Sequence, residues 1–176
     1  GIDFSTPGKP ITIGCSHIYD AAGQGLRYQL SRVQEPILLG RRKNPFLRKE
    51  DAYKVGVQVR QLFYETYFKL PNRVVVHKRT PFLESEKQGF SQALKGVQAL
   101  ELLTIEQEDG WRYFAYDAQR NRIDGYPLLR GTAITLDSRQ FLLWVHGKCP
   151  SIAPNYYQGK SRIPAPLRIV RYAGNS

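Results

Sequence analysis

The chain has 176 residues, 41% of them hydrophobic and 12% aromatic, which is enough apolar material for a folded domain and too much for a disordered segment. Its 26 Lys and Arg outnumber 15 Asp and Glu, and a formal charge of +11 points to polyanions, because counterion release from phosphates drives association whatever the sequence. Two widely separated cysteines, Cys15 and Cys149, exclude a disulfide scaffold, no apolar run reaches the roughly 18 to 20 residues that span a bilayer, and no signal peptide opens the chain. The expectation is a soluble protein of the cytoplasm with one domain over residues 1–176. The absence of Met and the strand-like start suggest a piece of a longer chain.

Gly1-Ile2-Asp3-Phe4-Ser5 reads as a buried strand. Residues 10–19 alternate Ile11, Ile13 and Cys15 with polar neighbours, and Gly23-Gln24-Gly25 turns the chain into a further strand over 26–33. From Ala52 to Leu70 the apolar positions Ala52, Val55, Val59, Leu62, Phe63 and Leu70 recur at helical spacing, with Lys54, Gln58, Gln61, Glu65 and Lys69 opposite. Pro71-Asn72 stops that helix, and Arg73 to His77 is a β-branched run of the kind buried inside a parallel sheet. Thr80-Pro81 offers a cap and a first helical turn for a second helix carrying Phe90, Ala93, Leu94 and Val97. Leu100 to Glu106 is a strand, paired with Trp111 to Tyr116 across the turn Glu108-Asp109-Gly110. Strands over 132–136, 139–145 and 167–172 complete the reading. Three antiparallel strands, helix, strand, helix, strand is an RNase H-like order: α/β, with a mixed sheet and helices on both faces.

Charge is segregated along the chain. Between Ser138 and Ser176 stand Arg139, Lys148, Lys160, Arg162, Arg168 and Arg171 with no acidic residue, and Arg41, Arg42, Lys43, Arg48 and Lys49 occupy the acid-free stretch between Glu35 and Glu50. Other motifs fail: Gly159-Lys160-Ser161 lacks the first glycine of a phosphate loop, since Pro154 stands there. His146 and Cys149 have no second ligand pair for zinc, and His77 on a buried strand fits a core histidine better than a catalyst.

Successive segments resemble the PIWI domain of prokaryotic Argonautes. These are Gly1-Ile2-Asp3-Phe4-Ser5, then Val74 to Phe82 (VVVHKRTPF), Leu102-Leu103-Thr104-Ile105, and Arg130-Gly131-Thr132. Further on come Phe141-Leu142-Leu143-Trp144 with His146-Gly147, and Ile163-Pro164-Ala165-Pro166-Leu167. Cutting members of that family hold two metal ions with an Asp-Glu-Asp-Asp/His tetrad. Under the resemblance the first Asp is Asp3, but the next positions are substituted: Arg79, followed by Thr80, stands where an Asp followed by Gly is expected. The last ligand falls at about Arg171. Glu50, with Glu35 as the poorer choice, is the nearest match to the mobile glutamate. At an effective dielectric of about 20 and ~5 Å, each cation would repel a divalent ion by roughly 6 to 7 kcal/mol. No metal is therefore expected at the site, and the guanidinium groups match phosphate oxygens instead.

The resemblance implies a short, catalytically inactive Argonaute domain that holds a guide RNA or DNA on a complementary single-stranded DNA target. It also implies a MID module before Gly1, and an effector of the TIR, sirtuin or nuclease type acting in prokaryotic defence. The domain itself needs no cofactor, and Mg²⁺ is expected only at a guide 5′-phosphate site at its edge or beyond. The expected backbone contacts are Lys148, Lys160, Arg162 and Arg168, in or beside a loop whose Tyr156 and Tyr157 could stack on or border a strand. Lys78, Arg79 and Arg171 are the remaining candidates. Such contacts position a duplex, whereas guide pairing supplies the sequence code. Two alternatives stand beside this reading. One is an active metal-dependent nuclease using Asp3 with Glu50, Asp51, Glu84 or Glu86; the other is a basic scaffold that docks an acidic protein.

Overall fold

A computed structural model describes residues 1–5, 12–19, 22, 25–33, 37–39, 44–113, 116–123, 128–147, 149 and 165–173. The chain divides into two compact units, Gly1–Thr104 with Arg171–Ser176, and Ile105–Val170.

In the first unit, β1 (Ile2–Ser5), β2 (Thr12–Tyr19) and β3 (Gly25–Arg32) form an antiparallel meander. A hairpin of β4 (Ile37–Leu39) and β5 (Asn44–Phe46), absent from the sequence reading, leads into the long helix α1 (Lys49–Tyr67). Then come β6 (Arg73–Lys78), α2 (Glu84–Ala93) and β7 (Ala99–Gln107), whose residues from Ile105 on belong to the second unit. β6 pairs in parallel with both β1 and β7, so the strand order is β3-β2-β1-β6-β7, the mixed sheet of an RNase H-like fold.

Both helices cover one face. Val74, Val76 and Leu102 share a core with Ala52 and Val55 of α1 and Phe90 and Ala93 of α2. On the opposite face of β6, Val75 is 40% exposed and Arg73 pairs with Glu101 at 2.6 Å. Among the described residues the expected second helical layer is therefore missing from that face. The helices approach closely enough that a Cβ on Gly89 would lie 2.4 Å from the Lys49 carbonyl oxygen.

Two helix boundaries differ from the sequence reading. α1 stops at Tyr67, before the apolar pattern ends, because Phe68 turns left-handed (φ 54°) and gives its N–H to the Tyr64 carbonyl. α2 begins at Glu84 rather than at Thr80-Pro81: Phe82 is drawn into the core, and the Glu86 carboxylate takes the Leu83 N–H at 2.8 Å, closing the helix start from within.

The second unit holds β8 (Tyr116–Asp117) paired with β9 (Arg122–Ile123), and the antiparallel series β10 (Ala133–Thr135), β11 (Gln140–Leu143) and β12 (Leu167–Ala173). The last residues of β12 belong to the first unit. Residues 111–113 are not a strand: Tyr116 pairs with Ile123, and the Glu108 carboxylate and N–H serve the Gly110 N–H and the Pro166 carbonyl. A separate small core gathers Leu128, Leu142 and Trp144. Gly131 (φ +87°) has the conformation that permits its N–H to reach the Trp144 carbonyl while Thr132 accepts from the Trp144 N–H, which explains the Arg130-Gly131-Thr132 motif. No described helix is long and apolar enough to cross a membrane.

Candidate nucleic-acid interface

The end of β6 pairs with the start of β1, the strands that carry the candidates Arg79 and Asp3 at or next to their ends. The register sets Ile2 beside Lys78, and Asp3 and Arg79 each follow one member of that pair. Both are exposed. The Asp3 carboxylate accepts the N–H of Phe4 at 2.9 Å, the local capping role open to any strand-end carboxylate. Arg79 has no ion-pair partner among the described residues.

One residue inward the chemistry reverses. Lys78 is 2% exposed, and its ammonium donates to both oxygens of Glu86 at 2.6 and 2.7 Å. Glu86, itself 0% exposed, also accepts the Leu47 N–H at 3.0 Å and the Leu83 N–H. The rings of Phe46 and Phe82 flank the ammonium, with centres at 4.9 and 4.7 Å. Burial pushes Lys78 below the usual lysine range, and the charge and hydrogen bonds of Glu86 raise it part of the way back. This corrects the expectation for Lys78: a sealed ammonium already engaged by a carboxylate cannot contact a phosphate. The same geometry removes Glu86 from the carboxylates open to a metal. Sequence reasoning had both residues and missed their partnership; the one available signal was the apolar company of Lys78, which follows Val74-Val75-Val76 and has Phe82 four residues on.

The other candidates scatter. Glu50 and Asp51 lie in the first turn of α1, where negative charge suits the helix dipole, and Asp51 stands 4.0 Å from Lys54. Glu84 pairs with Lys87 at 3.3 Å. Arg171 is half-buried on β12. In the second unit Arg168 donates through Nε to Gln140 Oε1 at 3.1 Å and through a second nitrogen to the same oxygen, with Glu108 at 3.9 Å. Its guanidinium is thus partly committed, though its side chain remains 42% exposed. Burial lowers the His77 imidazole below its usual range. Lys148, Lys160, Arg162, Tyr156, Tyr157, Glu35 and Arg41 to Lys43 lie outside the described residues. Among the described residues no three His, Cys, Asp or Glu side chains gather in a group able to hold a metal ion.

No protein-family model matches the chain, and neither does any curated protein. Solved structures do. The Argonaute of Marinitoga piezophila in complex with a 5′-OH guide RNA is similar over 99% of this chain with a TM-score of 0.57 and 13% identity. The same Argonaute with guide RNA and target DNA gives a TM-score of 0.59 and 12% identity, again over 99% of the chain. The chain spans 22% of the length of those proteins. The class that fold and strand order define is therefore RNase H-like. Within that class the described architecture is similar to the PIWI fold of Argonautes, a likeness of fold at this level of identity.

Proposed function

We propose that this chain is a nucleic-acid-binding PIWI-like domain that holds a guide/target duplex by its phosphate backbone without hydrolysing it. The observation that carries the reading is an exposed Arg79 directly after Lys78, the residue that pairs β6 with the β1 strand of Asp3, on an Argonaute-like fold. Just past the end of β6 stands an exposed guanidinium, a group that repels divalent ions and forks onto phosphate oxygens. The similar Argonaute structures contain guide RNA, and one contains target DNA, which supports the same class of ligand here. The sealed Lys78–Glu86 pair agrees with this reading, since it leaves one fewer carboxylate for a metal pair.

The finer reading is a short Argonaute, with a MID module elsewhere in the protein for the guide end and an associated effector, TIR-type, sirtuin-type or nuclease, acting in prokaryotic defence. Its support is the order of the PIWI-like motifs together with the substituted positions Arg79 and Arg171.

Binding is tested by filter binding of a guide/target duplex across a salt series. Arg79→Ala, Lys160→Ala and Arg162→Ala should each weaken binding and lower the salt slope by about 0.9 for a duplex phosphate contact. Parental affinity and slope in all three would favour a scaffold for an acidic protein. Cleavage is tested with the same duplex in Mg²⁺ or Mn²⁺: a metal-dependent product abolished by Asp3→Ala would establish a nuclease and end the inactive reading.

A further inference from the structure

The connection between β6 and α2, residues 79 to 83, is fastened at both ends to one carboxylate. At its start Lys78 Nζ donates to both Glu86 oxygens, and at its end the Leu83 N–H donates to Glu86 Oε2. Its middle is held too. Thr104 Oγ1 donates to the Thr80 carbonyl at 3.2 Å, and Phe82 is buried edge-on to Phe90 with the Lys78 ammonium over its face. Through the Leu47 N–H the same carboxylate also fixes the residue that precedes Arg48 and Lys49. On this pinned segment Arg79 stays exposed.

We propose that Lys78 and Glu86 are positioning residues for Arg79: the buried pair sets one geometry for the connection, holding the Arg79 guanidinium ready for a backbone phosphate of a bound duplex. The inference rests on the phosphate contact assigned to Arg79 above. Two desolvated charges add little stability over well-packed apolar residues of similar volume, so the use of such a pair lies in the single arrangement it specifies. A guanidinium on a fixed segment loses less freedom on meeting its ligand than one on a mobile loop, and affinity rises without any new contact.

A double-mutant cycle on the full chain tests this. Lys78→Met with Glu86→Leu replaces the pair by apolar side chains and strands no buried charge; thermal unfolding confirms the fold, and filter binding of a guide/target duplex over a salt series reads affinity. Arg79→Ala alone should weaken binding about tenfold, the loss of one charge-assisted hydrogen-bonded contact. The pair variant should lose most of the same factor, and adding Arg79→Ala to it should cost little more. Parental affinity in the pair variant, with the full effect of Arg79→Ala still present, would overturn the positioning role and leave duplex binding intact. No effect of Arg79→Ala in either background would overturn the phosphate contact itself. Should the pair variant not fold, Phe82→Leu, which removes one of the two rings flanking the ammonium and keeps an apolar side chain against Phe90, serves the same cycle, with a loss of a few-fold expected that vanishes once Arg79 is Ala.

Discussion

In the first unit Lys78 meets Glu86 at 2.6 Å with side chains 1% and 0% exposed, whereas in the second Arg168 lies 3.9 Å from Glu108 with both side chains open to water. In the sequence the two cations look alike, each a basic residue in or directly after a segment singled out by the PIWI resemblance. Water separates them. Where it is excluded, the carboxylate must satisfy the ammonium completely, and the pair becomes part of the framework. Where it enters, the attraction is screened and the guanidinium keeps donors for another partner.

The largest expected effect follows from breaking the sealed pair on one side only. Glu86→Ala or Lys78→Ala should cost roughly 3 to 5 kcal/mol in denaturant unfolding, since each strands a buried charge. A loss below about 1 kcal/mol would mean that water reaches the pair and that the contrast with Arg168 is false. Next comes the helix contact that helps close this region. Gly89→Ala puts a Cβ 2.4 Å from the Lys49 carbonyl oxygen, and the forced separation of α1 and α2 should cost about 1 to 3 kcal/mol by the same measurement. An unchanged midpoint would show a looser seam than the sealed pair needs.

Arg168→Ala should change stability by less than about 1 kcal/mol, as for other exposed pairs, and 1 M salt should remove most of that difference. A larger, salt-resistant loss would make Arg168 and its Gln140 contact a framework element like Lys78. The smallest effect belongs to His77, on the opposite face of β6 from Lys78. Its folded pKa lies below the usual 6.5, so just below that pH the unfolded chain holds more protons than the folded one. Stability is then full above pH 6.5 and falls as the pH drops from there through the lowered value. Thermal midpoints read across that interval should show a shallow decline that His77→Gln removes; an identical decline in the variant would assign it to other groups.

Much of the fold was legible because its signals are local. The helical recurrence of Ala52, Val55 and Val59, the β-branched run of β6 and the alternation in β2 are periodicities that backbone geometry imposes within a few residues. Errors fell where a distant group decided the outcome. Thr80-Pro81 is a sound local helix start, yet the Phe82 ring enters the core and Glu86 caps Leu83, so the helix begins later. Trp111 to Tyr116 alternates well enough for a strand, but the pairing partner of Tyr116 is Ile123.

The candidate site divides in the same way. The sequence by itself determined its composition: one acid at the first strand, cations at the positions where the resemblance calls for acids, and an excess of positive charge. It also determined the order β1-β2-β3-α1-β6-α2-β7, because periodicity and turn chemistry are properties of neighbouring residues. Only the tertiary structure decided which cations face water. Lys78 and Arg79 are consecutive in the chain, and the pleat of β6 sends the first, with Val74 and Val76, into a core closed by α2 while the second, just past the strand end, is left exposed. Burial depends on what packs against a residue from elsewhere in the fold, and no reading of adjacent letters contains that information.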